Sequence, residues 1–182
     1  MEQIQAADAV IISDYNYGVA DAEMSMFTRD AAVARKIPVF VDSRFNLANF
    51  IGFTSATPNQ SEVEQLLGKQ FSDEGELESA GEELRDRLGY RALLVTRGSQ
   101  GMMLLEGGVA PVHIEAVGAR EPVDVTGAGD TVMAAYSLAL ASDSSFPDVA
   151  RLANYAGGLV VMKRGTASVT REELENSVLH YI

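Results

Sequence analysis

A glycine-rich turn followed by an acid is the segment of this sequence best suited to chemistry. Residues 124–131 read DVTGAGDT, and an apolar helical run, VMAAYSLALA, follows at once. Small residues at 127–129 let a ligand approach the backbone closely, and the first turn of a helix leaves amide groups unpaired. Those amides and the positive helix end favour an anion such as a phosphate. A carboxylate beside the anion, Asp130, suits a general base that deprotonates an attacking hydroxyl.

Two other phosphate-binding motifs are excluded for this turn, and two further interpretations of it stay open on these residues alone. The Walker pattern requires Gly-Lys-Ser/Thr, which does not occur in the chain. The dinucleotide fingerprint requires a third glycine, and that position is Val132. Asp130 could instead be a helix-capping acid after a glycine turn, with no part in catalysis. The turn could also belong to an unrelated doubly wound α/β enzyme that binds a different anion.

The composition excludes several classes of function. The 182 residues include 26 acidic and 14 basic ones, a net charge of −12 that opposes a general nucleic-acid-binding surface. The chain has no cysteine, which removes disulfides, thiolate zinc sites and cysteine nucleophiles, and its two histidines lie far apart. The longest apolar stretch is about half of the roughly 20 residues that span a membrane, and the first residues lack a signal-peptide pattern. We therefore expect a cytoplasmic protein with no nucleic-acid or membrane partner.

Strand and helix patterns alternate along the chain, and they must position the glycine turn. Apolar runs predict strands at residues 9–13, 39–42, 53–57, 92–96, 101–105 and 110–114. Helical spacing and caps predict helices at residues 22–36, 61–67, 72–88, 127–142, 147–163 and 170–181. Ser61 with Glu64, and Thr170 with Glu173, are predicted capping boxes. This alternation predicts one α/β domain over residues 1–182 with a mostly parallel sheet.

Four segments in order resemble the ribokinase-type (PfkB) carbohydrate kinases. DVTGAGDTVMAAYS at 124–137 resembles the family's second signature along its whole length. TPNQSE at 57–62 is similar to its N-x-x-E motif, VTRGSQGM at 95–102 to its T-x-G-x-x-G segment, and ANYAGGLVVMKRGT at 153–166 to its late nucleotide-site helix and loop. With SDYNYG at 13–18, the likeness is greatest to the kinase domains that phosphorylate heptose 7-phosphate. The resemblance implies a three-layer ribokinase-like fold, here without a counterpart of the family's N-terminal part and β lid.

The resemblance also implies roles for individual residues. Asp130 would be the general base, and the amides of Gly127, Ala128 and Gly129 would form an anion hole for the transferring phosphoryl group. The nucleotide-binding residues would be Asn59, Gln60, Ser61, Glu62, Thr96, Gly98, Gly101, Asn154 and Gly165. Asn59 and Glu62 would also hold Mg²⁺ through water, since hard cations prefer oxygen ligands. Asp124 would serve a monovalent cation such as K⁺, and Asp14 and Arg44 are candidate acceptor contacts.

Structural alternatives exist for several of these residues. Asn59 could be a turn residue, Glu62 a first-turn helix acid, and Asn154 a solvated helix residue. Gly98 and Gly101 could simply shape the turn between two strands. His113 lies in a strand pattern and is expected to be structural.

The expected function is ATP-dependent phosphoryl transfer to a hydroxyl of a sugar or sugar phosphate. The specific expectation is a D-glycero-β-D-manno-heptose 7-phosphate 1-kinase that uses ATP and Mg²⁺. The alternative is a nucleotide-binding or assembly module without turnover, because the family's acceptor half has no counterpart in this sequence. A sheet that stops part-way exposes an unpaired edge and an apolar face, so we also expect either a homo-oligomer or poor behaviour in solution.

Overall fold

One sheet of six strands has the same order in space as along the chain. The computed structural model describes residues 2–118 and 122–180. The strands are β1 (Val10–Asp14), β2 (Val39–Ser43), β3 (Ser55–Ala56), β4 (Ala92–Thr96), β5 (Met102–Glu106) and β6 (Val112–Ile114). Strands β1 to β4 pair in parallel, while β5 and β6 join antiparallel. The predicted mostly parallel sheet is confirmed.

Helices cover both faces of this sheet. They are α1 (Glu2–Ala6), α2 (Ala22–Arg35), α3 (Gln60–Leu67), α4 (Glu74–Leu88), α5 (Ala128–Ala141), α6 (Phe146–Val160) and α7 (Arg171–His180). One buried cluster joins the sheet to α2, α3 and α4, and a second joins its other face to α5 and α6. The predicted three-layer α/β fold is therefore confirmed.

Strand β2 shows why the apolar runs read as continuous. Val39 and Val41 belong to the cluster under α2, α3 and α4, whereas Phe40 belongs to the cluster under α5 and α6. All three side chains are at most 1% exposed. A parallel strand covered by helices on both faces needs apolar residues at every position, not at alternate ones.

The predicted capping box at the start of α3 is wrong by two residues. Asn59, not Ser61, is the N-cap, and its side chain accepts from the Glu62 amide at 2.9 Å. The Glu62 carboxylate accepts from the Asn59 amide at 2.9 Å, which completes the box. Glu64 instead accepts from the Gln60 side chain at 3.0 Å. Asn and Ser are equally good N-caps, so the spacing alone did not decide between the two pairs.

Other boundaries agree more closely with the sequence. The second predicted capping box is confirmed. The Thr170 hydroxyl accepts a hydrogen bond from the Glu173 amide at 3.2 Å, and the Glu173 carboxylate accepts one from the Thr170 amide at 2.8 Å. Strand β3 has two residues within the predicted 53–57, and the five-residue helix α1 had no counterpart in the prediction.

The β1 edge of the sheet leaves apolar side chains exposed. Strand β1 pairs with β2 on one side and has no other partner in the described residues. Ile11 is level with Phe40 in the ladder, yet it is 43% exposed whereas Phe40 is fully buried. Helices α5 and α6 therefore do not extend over this end of the sheet. As for bilayers, no helix in the described part of the chain has the length and apolarity to cross one.

Candidate active site

An acidic cavity of about 590 Å³ opens where β1 and β2 end, beside the start of α5. The carboxyl ends of parallel strands are the usual place for a ligand in an open α/β sheet. Its wall brings together four acids, one arginine and the glycine turn, namely Asp14, Asp42, Arg44, Glu62, Gly127, Ala128, Gly129 and Asp130. Residues from four separate stretches of sequence thus share one cavity.

Asp130 occupies the first turn of α5, as predicted. The helix follows Gly127, whose φ of 76° lies in the left-handed region that favours glycine. One carboxylate oxygen of Asp130 accepts a hydrogen bond from the Tyr15 hydroxyl at 2.8 Å. No other side-chain hydrogen bond reaches Asp130 within residues 2–118 and 122–180. The structure does not support the capping alternative, since among the described residues no hydrogen bond joins this carboxylate to an amide of the helix.

The three amides predicted to form an anion hole are not equivalent. The amide of Ala128 donates to the Val125 carbonyl oxygen at 3.2 Å. The amides of Gly127 and Gly129 donate to no group in the described part of the chain. Two of the three amides are therefore available to an anion as the turn stands, with the positive end of α5 behind them.

Asn59 and Glu62 also line the acidic cavity, besides capping α3. Burial raises the pKa of Glu62, and the hydrogen bonds from Asn59 and the charge of Arg44 act against that rise. Glu62 is an acid in the first turn of α3, as the structural alternative has it, whereas Asn59 is the N-cap of that helix and not simply a turn residue. These roles do not exclude a ligand, because the Glu62 carboxylate lines the cavity with further lone pairs to offer.

The sequence did not single out Asp42 as a site residue. It is the last residue but one of β2 and lies in the same wall as Glu62 and Asp130. Burial, followed by the charges of Glu62 and Asp130, raises the pKa of Asp42 to about 6, and the charge of Arg44 opposes this rise. A polar residue at the carboxyl end of a parallel strand was the signal that could have identified it.

Thr57 is the second residue that the sequence did not single out. It lies in the cavity wall and is 5% exposed, and its hydroxyl makes no hydrogen bond among the described residues. A buried hydroxyl without a partner is costly unless a ligand or a water satisfies it.

The oxygen-rich wall suits Mg²⁺ held through water. Asp42, Asn59, Glu62 and the Thr57 hydroxyl all offer oxygen atoms to the same cavity. No three acids or histidines in the described ranges stand close enough to ligate a metal ion directly. Mg²⁺ commonly keeps several waters and binds through one or two carboxylates and substrate phosphates, so these donors fit it.

An apolar cavity of about 210 Å³ adjoins the acidic one. The two share four wall residues, Thr96, Val125, Ala128 and Gly129. The rest of its wall holds three predicted nucleotide residues, Gly98, Gly101 and Asn154. A mostly apolar slot beside an anion-binding turn suits the base and sugar of a nucleotide.

Asn154 is buried rather than solvated, so the solvated alternative is wrong. Its side-chain amide donates to the Glu115 carbonyl oxygen at 2.7 Å and ties α6 to the segment after β6. Gln60 and Ser61 line a third pocket, which shares Asn59 and Thr96 with the acidic cavity.

Asp124 and Gly165 lie outside the walls of the acidic and apolar cavities. One Asp124 oxygen accepts from the Thr126 amide and the other from the Gly165 amide, both at 2.9 Å. Hydrogen bonds from Thr126 and then Gly165 lower the pKa of Asp124. The carboxylate thus joins the turn before α5 to the loop after α6.

Asp14 is 6% exposed, and hydrogen bonds occupy both of its oxygens. One accepts from the Asn16 amide at 2.8 Å, and the other accepts from the Ser43 hydroxyl at 2.8 Å and the Asn46 side chain at 3.3 Å.

His113 forms a hydrogen bond to Glu78 at 2.6 Å outside both cavities.

The chain is an α/β protein with a cavity at its strand ends, a helix start with available amides and a neighbouring apolar slot, an arrangement that suits a nucleotide. The family described as pfkB family carbohydrate kinase matches residues 1–173. The chain therefore belongs to the PfkB family of carbohydrate kinases.

Curated relatives extend the comparison. The bifunctional protein HldE of Nitrosococcus oceani is 42% identical over 176 residues, and that of Pseudomonas aeruginosa strain UCBPP-PA14 is 43% identical over 170. These alignments cover 96% and 93% of this chain but 36% and 35% of the relatives. The chain spans about a third of the length of the curated relatives it matches.

Solved structures share the fold. Ribokinase of Arabidopsis thaliana, complexed with ribose and ATP, superposes with a TM-score of 0.85 at 23% identity, over 97% of this chain and 57% of that one. Phosphofructokinase-2 of Escherichia coli, in complex with potassium, gives 0.83 at 21% identity, over 98% and 60%.

Proposed function

We propose that this chain carries the nucleotide and base side of a kinase that transfers the γ-phosphoryl group of ATP to a sugar phosphate, at the anomeric hydroxyl of D-glycero-β-D-manno-heptose 7-phosphate. The observation that carries the proposal is the position of Asp130, in one cavity with the available amides of Gly127 and Gly129. The family and the identity to HldE proteins support the class of acceptor.

In this proposal the acceptor hydroxyl loses its proton to Asp130 as its oxygen attacks the γ-phosphorus. The bond from that phosphorus to the β–γ bridging oxygen breaks, and ADP leaves with the electron pair. The amides of Gly127 and Gly129 stabilise the charge on the transferring group. The Ala128 amide joins them only if it gives up its bond to Val125.

The proposed Mg²⁺ side of the acidic cavity is the part of its wall that would hold the ion through its bound waters. It consists of Asp42, Thr57, Asn59 and Glu62. Bound Mg²⁺ would neutralise phosphate charge. The nucleotide base would occupy the apolar cavity, between Gly98, Gly101 and Asn154. Gln60 and Ser61 would border the phosphates from the neighbouring pocket.

Arg44 is the proposed acceptor contact on this chain. It lies in the wall of the acidic cavity and is the one cation there among the described residues, which suits the phosphate of a sugar phosphate. Asp14 would support the acceptor side by holding the loop that follows β1. A monovalent cation such as K⁺ would bind beside Asp124 and Gly165, where two loops meet at a carboxylate.

A coupled ADP-release assay tests the proposal. We expect turnover with heptose 7-phosphate and Mg-ATP, and little with ribose or fructose 6-phosphate. Calorimetry with Mg-ATP is the companion measurement. Absence of nucleotide binding would refute the proposed kinase activity, whereas nucleotide binding without turnover on any sugar would favour the second candidate function.

That second candidate is a nucleotide-binding or assembly module that does not turn over alone. The observation in its favour is the β1 edge, which pairs with no further strand in residues 2–118 and 122–180 and leaves Ile11 exposed beside the buried Phe40. The same edge supports a homo-oligomer, because edges and apolar faces are usually covered. Light scattering tests this point, and a monomer at all concentrations would contradict it.

A further inference from the structure

We infer that Tyr15 positions the candidate base: its hydroxyl holds one oxygen of Asp130 and leaves the other oxygen for the acceptor's proton. This inference rests on the proposed function and adds a residue to it. The contact is a 2.8 Å hydrogen bond between residues 115 positions apart, from the loop after β1 to the first turn of α5. A hydroxyl that donates to a carboxylate makes a strong, directional bond, which fixes the carboxylate plane.

The loop that carries Tyr15 is anchored on both sides of it. The buried Asp14 precedes it and binds Ser43 and Asn46, at the end of β2 and just after it. Asn16 follows it with a φ of 61°, a left-handed conformation that a non-glycine residue adopts at some cost. Two bonds hold that conformation, from the Asn16 amide to Asp14 at 2.8 Å and from the Asn46 side chain to the Asn16 side chain at 2.9 Å.

This network fixes the backbone on each side of Tyr15 without burying the ring. Tyr15 is 54% exposed and belongs to neither buried cluster. Its contribution to packing is therefore small, whereas its hydroxyl reaches a carboxylate in the cavity wall. Such a residue acts through its hydroxyl and not through its apolar surface.

The geometry divides the two oxygens of Asp130 between two partners. The oxygen that Tyr15 holds keeps its hydrogen bond throughout, and the Tyr15 proton stays on the phenol. The second oxygen receives the proton of the attacking hydroxyl, so Asp130 ends neutral and still bonded to Tyr15. A base held in this way does not have to find its orientation at each turnover, which is the benefit of prior positioning.

Tyr17 supplies a matched control. It lies in the same loop, is 88% exposed and makes no hydrogen bond among the described residues. Tyr15→Phe and Tyr17→Phe each remove one phenol oxygen from one short loop. If the Tyr15 hydroxyl has no specific role at Asp130, Tyr15→Phe and Tyr17→Phe will behave alike.

The first measurement is independent of activity. In protein labelled with ¹³C at aspartate carboxyl groups, Asp130→Asn assigns the Asp130 resonance. We expect Tyr15→Phe to move that resonance and Tyr17→Phe to leave it in place. A resonance that is unmoved in both variants would overturn the inference whatever the kinetics show.

The second measurement is kinetic. We expect Tyr15→Phe to lower kcat about tenfold and to leave KM for ATP within about twofold, the size expected for one hydrogen bond to a charged group. In an Asp130→Asn background the same change should have no further effect, since the base it positions is gone. An equal loss in both backgrounds would overturn the positioning role.

The two proposals fail in different ways. If heptose 7-phosphate is turned over and Tyr15→Phe matches Tyr17→Phe, the inference about Tyr15 falls and the proposed function stands. If the resonance moves but no sugar is phosphorylated, the proposed function falls, and the bond to Asp130 then has no catalytic purpose.

Discussion

Asp42 and Glu62 place two carboxylates in one wall of the acidic cavity, at the end of β2 and in the first turn of α3. The charge of Glu62 is, after burial, the largest cause that raises the pKa of Asp42 to about 6. Burial raises the pKa of Glu62 as well. A pair of acids that are costly to ionise in the free protein is well suited to a cation, which would remove that cost.

The raised pKa of Asp42 makes stability depend on pH. Between its unfolded value of 3.8 and about 6, the native state binds more protons at Asp42 than the unfolded state does. This residue's contribution to the free energy of unfolding therefore falls as pH rises through that window, and the cost stays constant above it. We expect Asp42→Asn to be more stable than the parent at about pH 8 and to lose that advantage towards about pH 4. Urea unfolding across this range measures it.

The stabilisation of the same two proteins by Mg-ATP tests whether Asp42 takes part in binding the ion. At about pH 8 it should stabilise the parent more than Asp42→Asn, because binding to the native state adds stability according to affinity. Equal stabilisation of both proteins would remove Asp42 from the proposed Mg²⁺ side.

Asp130→Asn tests the proposed base itself. The substitution keeps the size of the side chain and removes its ability to take a proton, so we expect kcat to fall by about 10²–10⁴. Affinity for Mg-ATP should change by no more than a few-fold, because the amides that face the phosphates are unchanged. The coupled ADP-release assay measures kcat, and calorimetry on the same preparation measures the affinity for Mg-ATP. Unchanged turnover would exclude Asp130 as the base.

Thr57→Val separates a ligand-binding hydroxyl from a structural one. The Thr57 hydroxyl has no partner in the described residues, so its loss should leave the free energy of unfolding unchanged or raise it by about 1 kcal/mol. Affinity for Mg-ATP should fall several-fold if that hydroxyl serves the nucleotide or its bound water.

Thr54→Val is the matched control for that prediction. The Thr54 hydroxyl accepts from the Val39 amide at 2.9 Å, so its loss leaves a buried donor unpaired and should cost about 1–3 kcal/mol. Its effect on Mg-ATP affinity should be small, because Thr54 lies outside the acidic cavity. Opposite results for the two variants would refute the assignment of Thr57.

The sequence predicted the parts of the site that depend on neighbours along the chain. The glycine turn, the start of α5 and the position of Asp130 in its first turn all follow from residues 124–141. The Tyr15–Asp130 bond joins residues 115 positions apart, and the charges that help to raise the pKa of Asp42 come from Glu62 and Asp130 in other elements. Such contacts depend on the order of strands in the sheet, which no local pattern specifies. The misplaced cap of α3 has a different cause, the equivalence of Asn and Ser as N-caps.

Gly98 and Gly101 distinguish a conformational need for glycine from a need for space. Both have positive φ, 56° and 83°, so an alanine at either position costs about 1–2 kcal/mol of backbone strain. A Cβ at Gly101 would also lie 1.9 Å from the Ile114 carbonyl oxygen, whereas nothing stands within 4 Å of one at Gly98. We expect Gly101→Ala to destabilise the fold by about 1–3 kcal/mol more than Gly98→Ala. Thermal unfolding compares them, and equal losses would show that the β5–β6 segment yields to the added methyl group. Gly98→Ala should instead be detected as weaker ATP binding, because Gly98 lines the apolar cavity in which we place the nucleotide.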